Sequence, residues 1–390
     1  MKQKYADTLF YIAYVSFFVS LFLGDVYTVG TLDVISRYLR IISYILIVIS
    51  CIGVRFTKKD FFIFCIIFSL GLIYAILTND IYWCILTLLL FNSRKVNIKN
   101  IFRISIAILL IGIAVVIALV LLGFLPDILT ARDSLSLNSY TRHSFGFYTS
   151  NVLPLLALYI LSYYILIFES QIKISVIIFT VLTSLVISEL CDSRNAFILS
   201  VVLSAAVICI KISKCKYRIL LPLSRFLVPS LIIISYAMLF LLPLGGIWNT
   251  IDTLFSGRFR LGIFKMRRIG LHPVNIMSND SFFDDNVTYV NGEHLDTVVL
   301  DNGYLYVGLR YGILILLFYI YISQKITSKY SNRPYILLVT VCVFTANFVD
   351  NDLVDYCFLP FILLAFCDRK ETSILDGGNN EKSSCNYLNI

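Results

Sequence analysis

Charged residues are scarce in this sequence, and their scarcity excludes an ordinary soluble fold. Asp, Glu, Lys and Arg make up 14% of the 390 residues, whereas 59% are hydrophobic. Soluble domains contain roughly 25% charged and 45–50% apolar residues. A soluble globule of this length keeps a large surface in water, and it could not hide so many apolar side chains.

Metal-binding and disulfide patterns are also missing. The ten cysteines form no Cys-x-x-Cys pair and no cluster with the three histidines, so we predict neither a metal site nor a cofactor. Most of these cysteines fall within apolar runs, where Cys acts as a small hydrophobic residue. The net charge of +8 does not indicate nucleic-acid binding, because the basic residues lie in short segments between apolar runs.

Apolar runs, by contrast, are abundant. They are roughly 17–22 residues long, the length that crosses a hydrocarbon core of about 30 Å as a helix. In lipid, every backbone N–H and C=O group must be hydrogen-bonded within the protein, which only helices and closed barrels achieve. The strands of a barrel would be shorter, with alternating apolar and polar residues. We therefore predict an all-α polytopic membrane protein with about twelve transmembrane helices. The predicted segments are Leu9–Leu23, Val34–Val54, Phe61–Thr78, Ile81–Phe91, Ile104–Leu122, Val152–Phe168, Ile174–Leu190, Asn195–Ile210, Phe226–Leu244, Tyr304–Ile322, Tyr335–Val349 and Leu353–Phe366.

Basic residues set the predicted orientation. The segment Ile81–Phe91 is short for a crossing and would be longer at both ends, tilted or re-entrant. If it counts as a crossing, every connecting segment on the side of the N-terminus carries basic residues, as expected for the cytoplasm. This predicts a protein of the cytoplasmic membrane with both termini in the cytoplasm. Residues 1–370 would form one helical domain, and residues 371–390 a disordered tail.

Two connecting segments on the predicted outer side are long, at about 124–151 and about 245–302. Both contain arginines, which are unexpected on the outer side because basic residues are concentrated on the cytoplasmic side. Arginine presents planar donors that suit phosphate oxygens, and charges at membrane depth usually face a cavity or a partner. These residues therefore predict an anionic group held near the membrane surface; pairing with nearby aspartates or lipid phosphates is the structural alternative. The outer basic residues are Arg132, Arg142, Arg194, Arg258, Arg260, Lys265, Arg267 and Arg268, together with His143, His272 and His294.

Several short motifs on this side resemble those of Wzy-type O-antigen and capsule polymerases. Arg142–Asn151 is similar to the family's Arg…Gly-Phe…Asn motif before a span. Asp192–Asn195 resembles its Ser-Arg turn between two helices, and Ser256–Arg258 its Ser-Gly-Arg motif at the start of the large outer loop. Asp301–Leu305 followed by Tyr311–Ile313 resembles the segment by which that loop re-enters the membrane.

The resemblance departs from the family at one point. Many relatives have His-Pro before the Asn of the first motif, where this chain has Thr149 and Ser150. The resemblance therefore implies no role for those two positions. The arginine, glycine and asparagine of the motif are unaffected.

The resemblance implies a GT-C-like membrane glycosyltransferase that acts outside the cytoplasmic membrane. A growing glycan on undecaprenyl diphosphate would be the donor, and a single lipid-linked repeat unit the acceptor. A hydroxyl of the acceptor would attack the anomeric carbon of the donor, without a metal and with inversion. The sugar repeat, and whether the product is O-antigen or capsule, stay open.

Specific residues are predicted for each part of this reaction. Asp301 is the first candidate for the general base because it lies where the large loop meets the membrane; its structural alternative is capping of the following helix together with Asn302. His272 and His294 are alternative bases. The predicted diphosphate ligands are Arg142, Arg194 and Arg258, with Arg260 in second rank, and the predicted motif or structural positions are Gly146, Asn151, Gly257 and Asn302.

Two other classes of protein stay open at this point. Lipid-A-core ligases share the plan but tend to carry His-Asn at the re-entry point, where this chain has Asp301 and Asn302. A lipid-linked-oligosaccharide flippase or another transporter also fits about twelve helices, but such proteins show repeated halves and short outer loops. The implied partners are the lipid-linked donor and acceptor, the bilayer, a chain-length regulator and a flippase; nucleic acid is not among them.

Overall fold

The computed structural model describes residues 2–27, 31–52, 58–78, 81–131, 141–213, 219–255, 257–275, 287–290, 293–296, 300–350, 353 and 355–367. Within these ranges the chain is almost entirely helical. The predicted tail at 371–390 lies outside the described residues.

The helices follow the apolar runs of the sequence, and the few strands lie in the two long connecting segments. β1 (Leu129–Ala131) pairs antiparallel with β2 (Thr141–His143), and β3 (Val287–Val290) with β4 (Glu293–Asp296). The helices are α1 (Lys2–Asp25), α2 (Thr31–Ile52), α3 (Lys58–Thr78), α4 (Tyr82–Asn92), α5 (Ile98–Leu121), α6 (Val152–Phe168), α7 (Ile174–Cys191), α8 (Arg194–Ser213), α9 (Leu220–Leu241), α10 (Ile247–Leu254), α11 (Arg258–Ile269), α12 (Gly303–Arg310), α13 (Ile313–Lys329), α14 (Pro334–Val349) and α15 (Leu359–Phe366).

Among the described helices, 6 are long and apolar enough to cross a membrane. The prediction of an all-α membrane protein is thereby confirmed, and the chain is a multi-pass helical protein. The segments with this length and composition are Asp7–Asp25, Leu32–Cys51, Ile98–Leu121, Ile174–Cys191, Arg194–Ile212 and Leu220–Leu244.

The helix surfaces have the distribution expected in lipid. Large apolar side chains such as Ile42 on α2, Ile111 on α5 and Phe179 on α7 are exposed along the outside of the bundle. Soluble monomers rarely expose contiguous apolar surfaces of this extent. The shorter helices α4, α6, α14 and α15 are buried over most of their length and form the centre of the bundle.

The short predicted segment at Ile81–Phe91 is a short helix in the structure as well. α4 has 11 residues, and all of those from Trp83 to Asn92 are buried. Because protein surrounds this helix, the backbone at its two ends does not have to be shielded from lipid by further helical turns. Its length is therefore compatible with a place inside the bundle.

The predicted segment Tyr304–Ile322 is not one helix but two. α12 ends at Arg310, and α13 begins at Ile313 after Gly312, whose φ is +101°. A Cβ on Gly312 would lie 2.5 Å from the carbonyl oxygen of Pro273. The close approach of Pro273 therefore interrupts the helix at Gly312. Only glycine can occupy this position without strain.

Contacts between helix ends define two ends of the bundle. At one, which we call the site end, a β-bridge between Val26 and Phe147 joins the end of α1 to the segment before α6. At the opposite end, Glu169 after α6 contacts Lys99 of α5 and Arg333 before α14. The candidate functional residues lie at the site end.

Candidate functional site

Arg258 is the first residue of α11, and its neighbours fix the start of that helix. Gly257 precedes it with a φ of +76°, a left-handed conformation that glycine adopts without steric cost. The Asp252 carboxylate accepts hydrogen bonds from the N–H groups of Phe259 (3.0 Å) and Arg260 (3.4 Å). Such groups have no partner within the first turn of a helix, so the carboxylate caps α11. Ser256 of the predicted motif lies outside the described residues.

The side chain of Arg258 lies in a buried ion cluster with two aspartates. It is 10% exposed, and its Nη2 atom lies 3.2 Å from Oδ2 of Asp301 and 3.8 Å from Oδ1 of Asp350. Its Nη1 atom donates a hydrogen bond to the carbonyl of Val349. We name Arg258, Asp301 and Asp350 the Arg258 cluster. It joins α11, the segment before α12 and the end of α14.

Asn302, rather than Asp301, caps α12. Its Oδ1 atom accepts a hydrogen bond from the N–H of Leu305 (3.0 Å), and its Nδ2 atom donates to the carbonyl of Phe348 (2.9 Å). Helix capping, the structural alternative considered for Asp301 together with Asn302, is therefore a role of Asn302 alone. The carboxylate of Asp301 is directed instead to Arg258.

Asp301 is the carboxylate on which two of the motif arginines act. Burial raises its pKa, while the positive charges of Arg258 and then of Arg142 lower it. Arg142 belongs to β2 and Arg258 to α11, far apart in the sequence. The fold therefore brings both arginines to bear on one carboxyl group, whose side chain is 32% exposed.

Asp350 is the more deeply buried carboxylate of the pair, with a side chain that is 13% exposed. Its pKa is raised to about 7, mainly by burial; the charge of Arg258 lowers the pKa and the charge of Asp301 raises it. Two carboxylates that share one guanidinium repel each other, and this repulsion favours the protonated form of one of them.

Arg142 also has a structural contact set at the end of α7. Its Nη2 atom donates to Oδ1 of Asn151 (3.0 Å) and to the carbonyl of Asp192 (3.1 Å), and its Nε atom donates to the carbonyl of Cys191 (3.2 Å). A cation here satisfies the last carbonyl groups of α7 and complements the negative end of the helix dipole. Arg142 thus holds the α7–α8 turn and also acts on Asp301.

Arg194 and Arg260 have a different environment. The side chain of Arg194 is 76% exposed and lies 3.7 Å from Asp192, and that of Arg260 is 68% exposed and lies 3.7 Å from Asp252. Exposed ion pairs of this kind contribute little energy. Each arginine pairs with an aspartate that has a structural role. Among the residues that the structure describes, neither arginine contacts the Arg258 cluster.

In the part of the chain that the structure describes, the histidines predicted as alternative bases make no contact with the Arg258 cluster. The Nε2 atom of His272 lies 3.0 Å from the carbonyl oxygen of Ile269, and its own carbonyl accepts a hydrogen bond from the N–H of Ile313. His272 is therefore tied to the far end of α12, about 12 Å along that helix from Asp301. His294 lies in β4, opposite Tyr289, and its side chain lies outside the described residues.

Gly146 positions the strand that carries Arg142. Its φ is +84°, and a Cβ there would lie 2.7 Å from Val120 and 3.0 Å from Val116 on α5. Its carbonyl accepts a hydrogen bond from the N–H of Tyr27 (2.8 Å). A side chain at this position would push the Arg142 segment away from α5, so the glycine of the predicted motif is a packing position.

Asp350 is the site residue that sequence reasoning missed. The only available signal was its place directly after the predicted segment Tyr335–Val349, on the same predicted side as Asp301. That signal is weak, because acidic residues commonly follow apolar runs. Its partner in the structure comes from α11, and sequence spacing does not reveal that partner.

The site combines groups that suit an anionic substrate with a group that can accept a proton. The guanidinium groups can donate to phosphate oxygens, and the partly exposed carboxylate of Asp301 can act as a base. Within the ranges that the structure describes, no group of three or more His, Cys, Asp or Glu side chains is placed to hold a metal ion. Comparison of the chain with protein-family models, with curated proteins and with solved structures found no significant match.

Proposed function

We propose that the protein is a glycosyltransferase that polymerises undecaprenyl-diphosphate-linked oligosaccharide repeats into O-antigen or capsular polysaccharide. The observation that supports this most is the ion pair of Arg258 with Asp301, 3.2 Å apart, at one end of an apolar helical bundle, where the charge of Arg142 also lowers the pKa of Asp301. A prenyl-anchored diphosphate needs this combination: hydrocarbon for its tail, and guanidinium groups at the level of the lipid headgroups.

The proposal includes an architecture of about twelve crossings of the GT-C-like kind. In it, α3 and the shorter helices α4, α6, α13, α14 and α15 cross together with the six long apolar helices, enclosed by them or tilted. The opposite end, which carries Lys99 and Arg333, then faces the cytoplasm, as the excess of basic residues favours. Both termini are cytoplasmic, and the Arg258 cluster faces the periplasm or the cell exterior.

In the proposed reaction, the two lipid-linked glycans meet at this cluster. A hydroxyl oxygen of the acceptor repeat forms a bond to the anomeric carbon of the donor glycan. The bond from that carbon to the diphosphate oxygen breaks, and its electron pair leaves with the diphosphate. Asp301 takes the hydroxyl proton, and Arg258 and Arg142 stabilise the charge on the leaving group.

The direct test is complementation of cells that lack the native gene, scored by the polysaccharide ladder on a gel. We expect Arg258→Ala and Arg142→Ala to leave single repeats without polymer. Arg258→Lys should also fail, because a point charge does not reproduce the planar fork of arginine. Asp301→Asn, which keeps the shape of the side chain, should lower polymer formation by at least about 100-fold.

Matched controls are present in the same protein. Arg194→Ala and Arg260→Ala remove exposed arginines from the same end of the bundle and should leave the ladder intact. Membrane abundance of each variant is measured by a tag, so that loss of protein is not counted as loss of activity. Full-length polymer from Arg258→Ala, Arg142→Ala and Asp301→Asn at normal abundance would contradict the proposal.

A further inference from the structure

Arg258 faces more negative charge than a phosphate-binding arginine requires. Asp301 and Asp350 both contact its Nη2 atom, so with all three groups ionised the cluster has a net charge of minus one. Arg142 does not fully offset this charge, because its own Nε atom lies 4.0 Å from the Asp192 carboxylate. A diphosphate that approached this cluster would be repelled unless one negative charge were removed.

Protonation of one aspartate removes that charge, and the geometry indicates which one. Asp301 is the more exposed of the two and lies under the influence of two arginines. Asp350 is more buried, and the neighbouring Asp301 disfavours its charge. The proton is therefore held at Asp350, while Asp301 stays ionised on the side that a substrate can reach.

We propose that Asp350 is a positioning residue that holds a proton when the diphosphate of a lipid-linked substrate binds, so that Arg258 is released from one of its carboxylates and donates to the phosphate oxygens. This inference rests on the proposed function. Above neutral pH the proton is taken up from solvent as the diphosphate binds and is released when the product leaves. Asp301 keeps its charge and acts as the base.

The backbone around Asp350 is fixed in a way that suits this role. Its N–H donates to the carbonyl of Ala346 (2.9 Å), and its carbonyl accepts a hydrogen bond from the N–H of Gly303 (3.1 Å). Arg258 holds the carbonyl of Val349 through Nη1, so its Nη2 atom can change partner while Nη1 stays in place. The carboxyl group of Asp350 can therefore gain or lose a proton without movement of α14.

The charged groups around the pair come from several elements. Among the described residues, Arg258 of α11 and Asp301 before α12 act on the carboxyl group of Asp350. Arg142 of β2 acts on Asp301. The pH dependence of anion binding therefore depends on the charges of the Arg258 cluster and of Arg142 together. Comparison of the wild type with a variant substituted at Asp350 isolates the contribution of Asp350.

The test measures binding of farnesyl diphosphate to the purified full chain by titration calorimetry, between about pH 7 and about pH 9, where the terminal phosphate of this probe is already ionised. For the wild type we expect the Kd to increase towards about tenfold per pH unit, with uptake of about one proton per probe bound at the upper end. Proton uptake is obtained from the binding heats in buffers of different ionisation enthalpy. Asp350→Asn should bind with little pH dependence, more tightly than the wild type at about pH 9 and without proton uptake.

Two further variants complete the test. Asp350→Glu retains a titrating carboxyl group and should restore the pH dependence. Asp33→Asn removes an exposed carboxylate, which lies 2.7 Å from Arg37 on α2, and should behave as the wild type does.

Each contrary result has a separate meaning. If the wild type takes up no proton at about pH 9, or if Asp350→Asn keeps the wild-type pH dependence, the role of Asp350 is overturned and the proposed function stands. If the wild type does not bind the probe at any pH, both the diphosphate site and the inference drawn from it are overturned. An absence of proton uptake by the wild type overturns the role of Asp350 even if a variant does not fold.

Discussion

The protein has an ion cluster at each end of its helical bundle, and the two clusters have opposite composition. At the site end, one guanidinium is shared by two carboxylates, Asp301 and Asp350. At the opposite end, one carboxylate is shared by two cations: Glu169 lies 3.6 Å from Lys99 and 3.0 Å from Arg333. We name these last three residues the Glu169 cluster.

This difference in composition indicates that the Glu169 cluster has a structural role, whereas the Arg258 cluster takes part in the proposed reaction. The Glu169 cluster ties the end of α6 to the starts of α5 and α14, and its excess positive charge agrees with the orientation proposed for the chain. The Arg258 cluster joins elements in the same way, but a single aspartate would suffice for that purpose. A second buried carboxylate beside the first costs free energy, so its presence favours a chemical role.

The largest expected effect comes from removal of the shared residue of the Arg258 cluster. Arg258→Ala leaves the buried carboxylate of Asp350 and the partly exposed carboxylate of Asp301 without this cation, and loss of one partner from a buried pair costs about 3–5 kcal/mol. Arg333→Ala is the matched change at the opposite end, where Glu169 keeps Lys99 and the loss should be smaller. Thermal unfolding of both purified variants in detergent at neutral pH measures the difference. Equal midpoints would contradict the contrast between the two clusters.

The pH dependence of stability provides a second way to distinguish the Arg258 cluster from the Glu169 cluster. The pKa of Asp350 is raised from 3.8 to about 7, so over this interval the folded chain holds a proton that the unfolded chain has lost. The contribution of Asp350 to stability should therefore decrease as the pH rises through the interval, by at most about 1.4 kcal/mol per pH unit, and level off above it.

Asp350→Asn should remove this contribution, because the amide stays neutral at every pH. The variant should match the wild type at about pH 4 and be the more stable protein at about pH 8. Unfolding midpoints across this range provide the measurement, with Asp350→Glu as the variant that keeps the slope. If Asp350→Asn and the wild type show the same change of stability across this interval, Asp350 is ionised throughout.

Much of the fold was predictable because the relevant signal is local. Runs of apolar residues long enough to span lipid determined where α1, α2, α5 and α7 to α9 lie. The break between α12 and α13 was not predictable, since it depends on the approach of Pro273 to Gly312, two residues that lie in different segments. The predicted segment Leu353–Phe366 likewise begins too early, because α15 starts only at Leu359, with Pro360 in its first turn.

The candidate site was predictable only in its residue types. Outer arginines indicated an anionic ligand, and they included Arg142 and Arg258. Whether an arginine faces inward depends on local capping: Asp252 fixes the start of α11 so that Arg258 is buried, while Arg260, two positions later, is exposed. The pairing of Arg258 with Asp350 depends on how α11 meets the end of α14, which no pattern within either segment encodes.

The smallest expected effects concern the arginines that belong to neither cluster. Arg194→Ala and Arg260→Ala remove side chains that are exposed and paired at 3.7 Å, contacts worth about 0–1 kcal/mol. We expect unfolding midpoints close to that of the wild type and Kd values for farnesyl diphosphate within about twofold, since screened charges at this distance act weakly. A large loss of binding in Arg194→Ala with Arg258→Lys unaffected would move the anion site from the Arg258 cluster to the α7–α8 turn. Asp192, which pairs with both Arg142 and Arg194, would then be the carboxylate to test next.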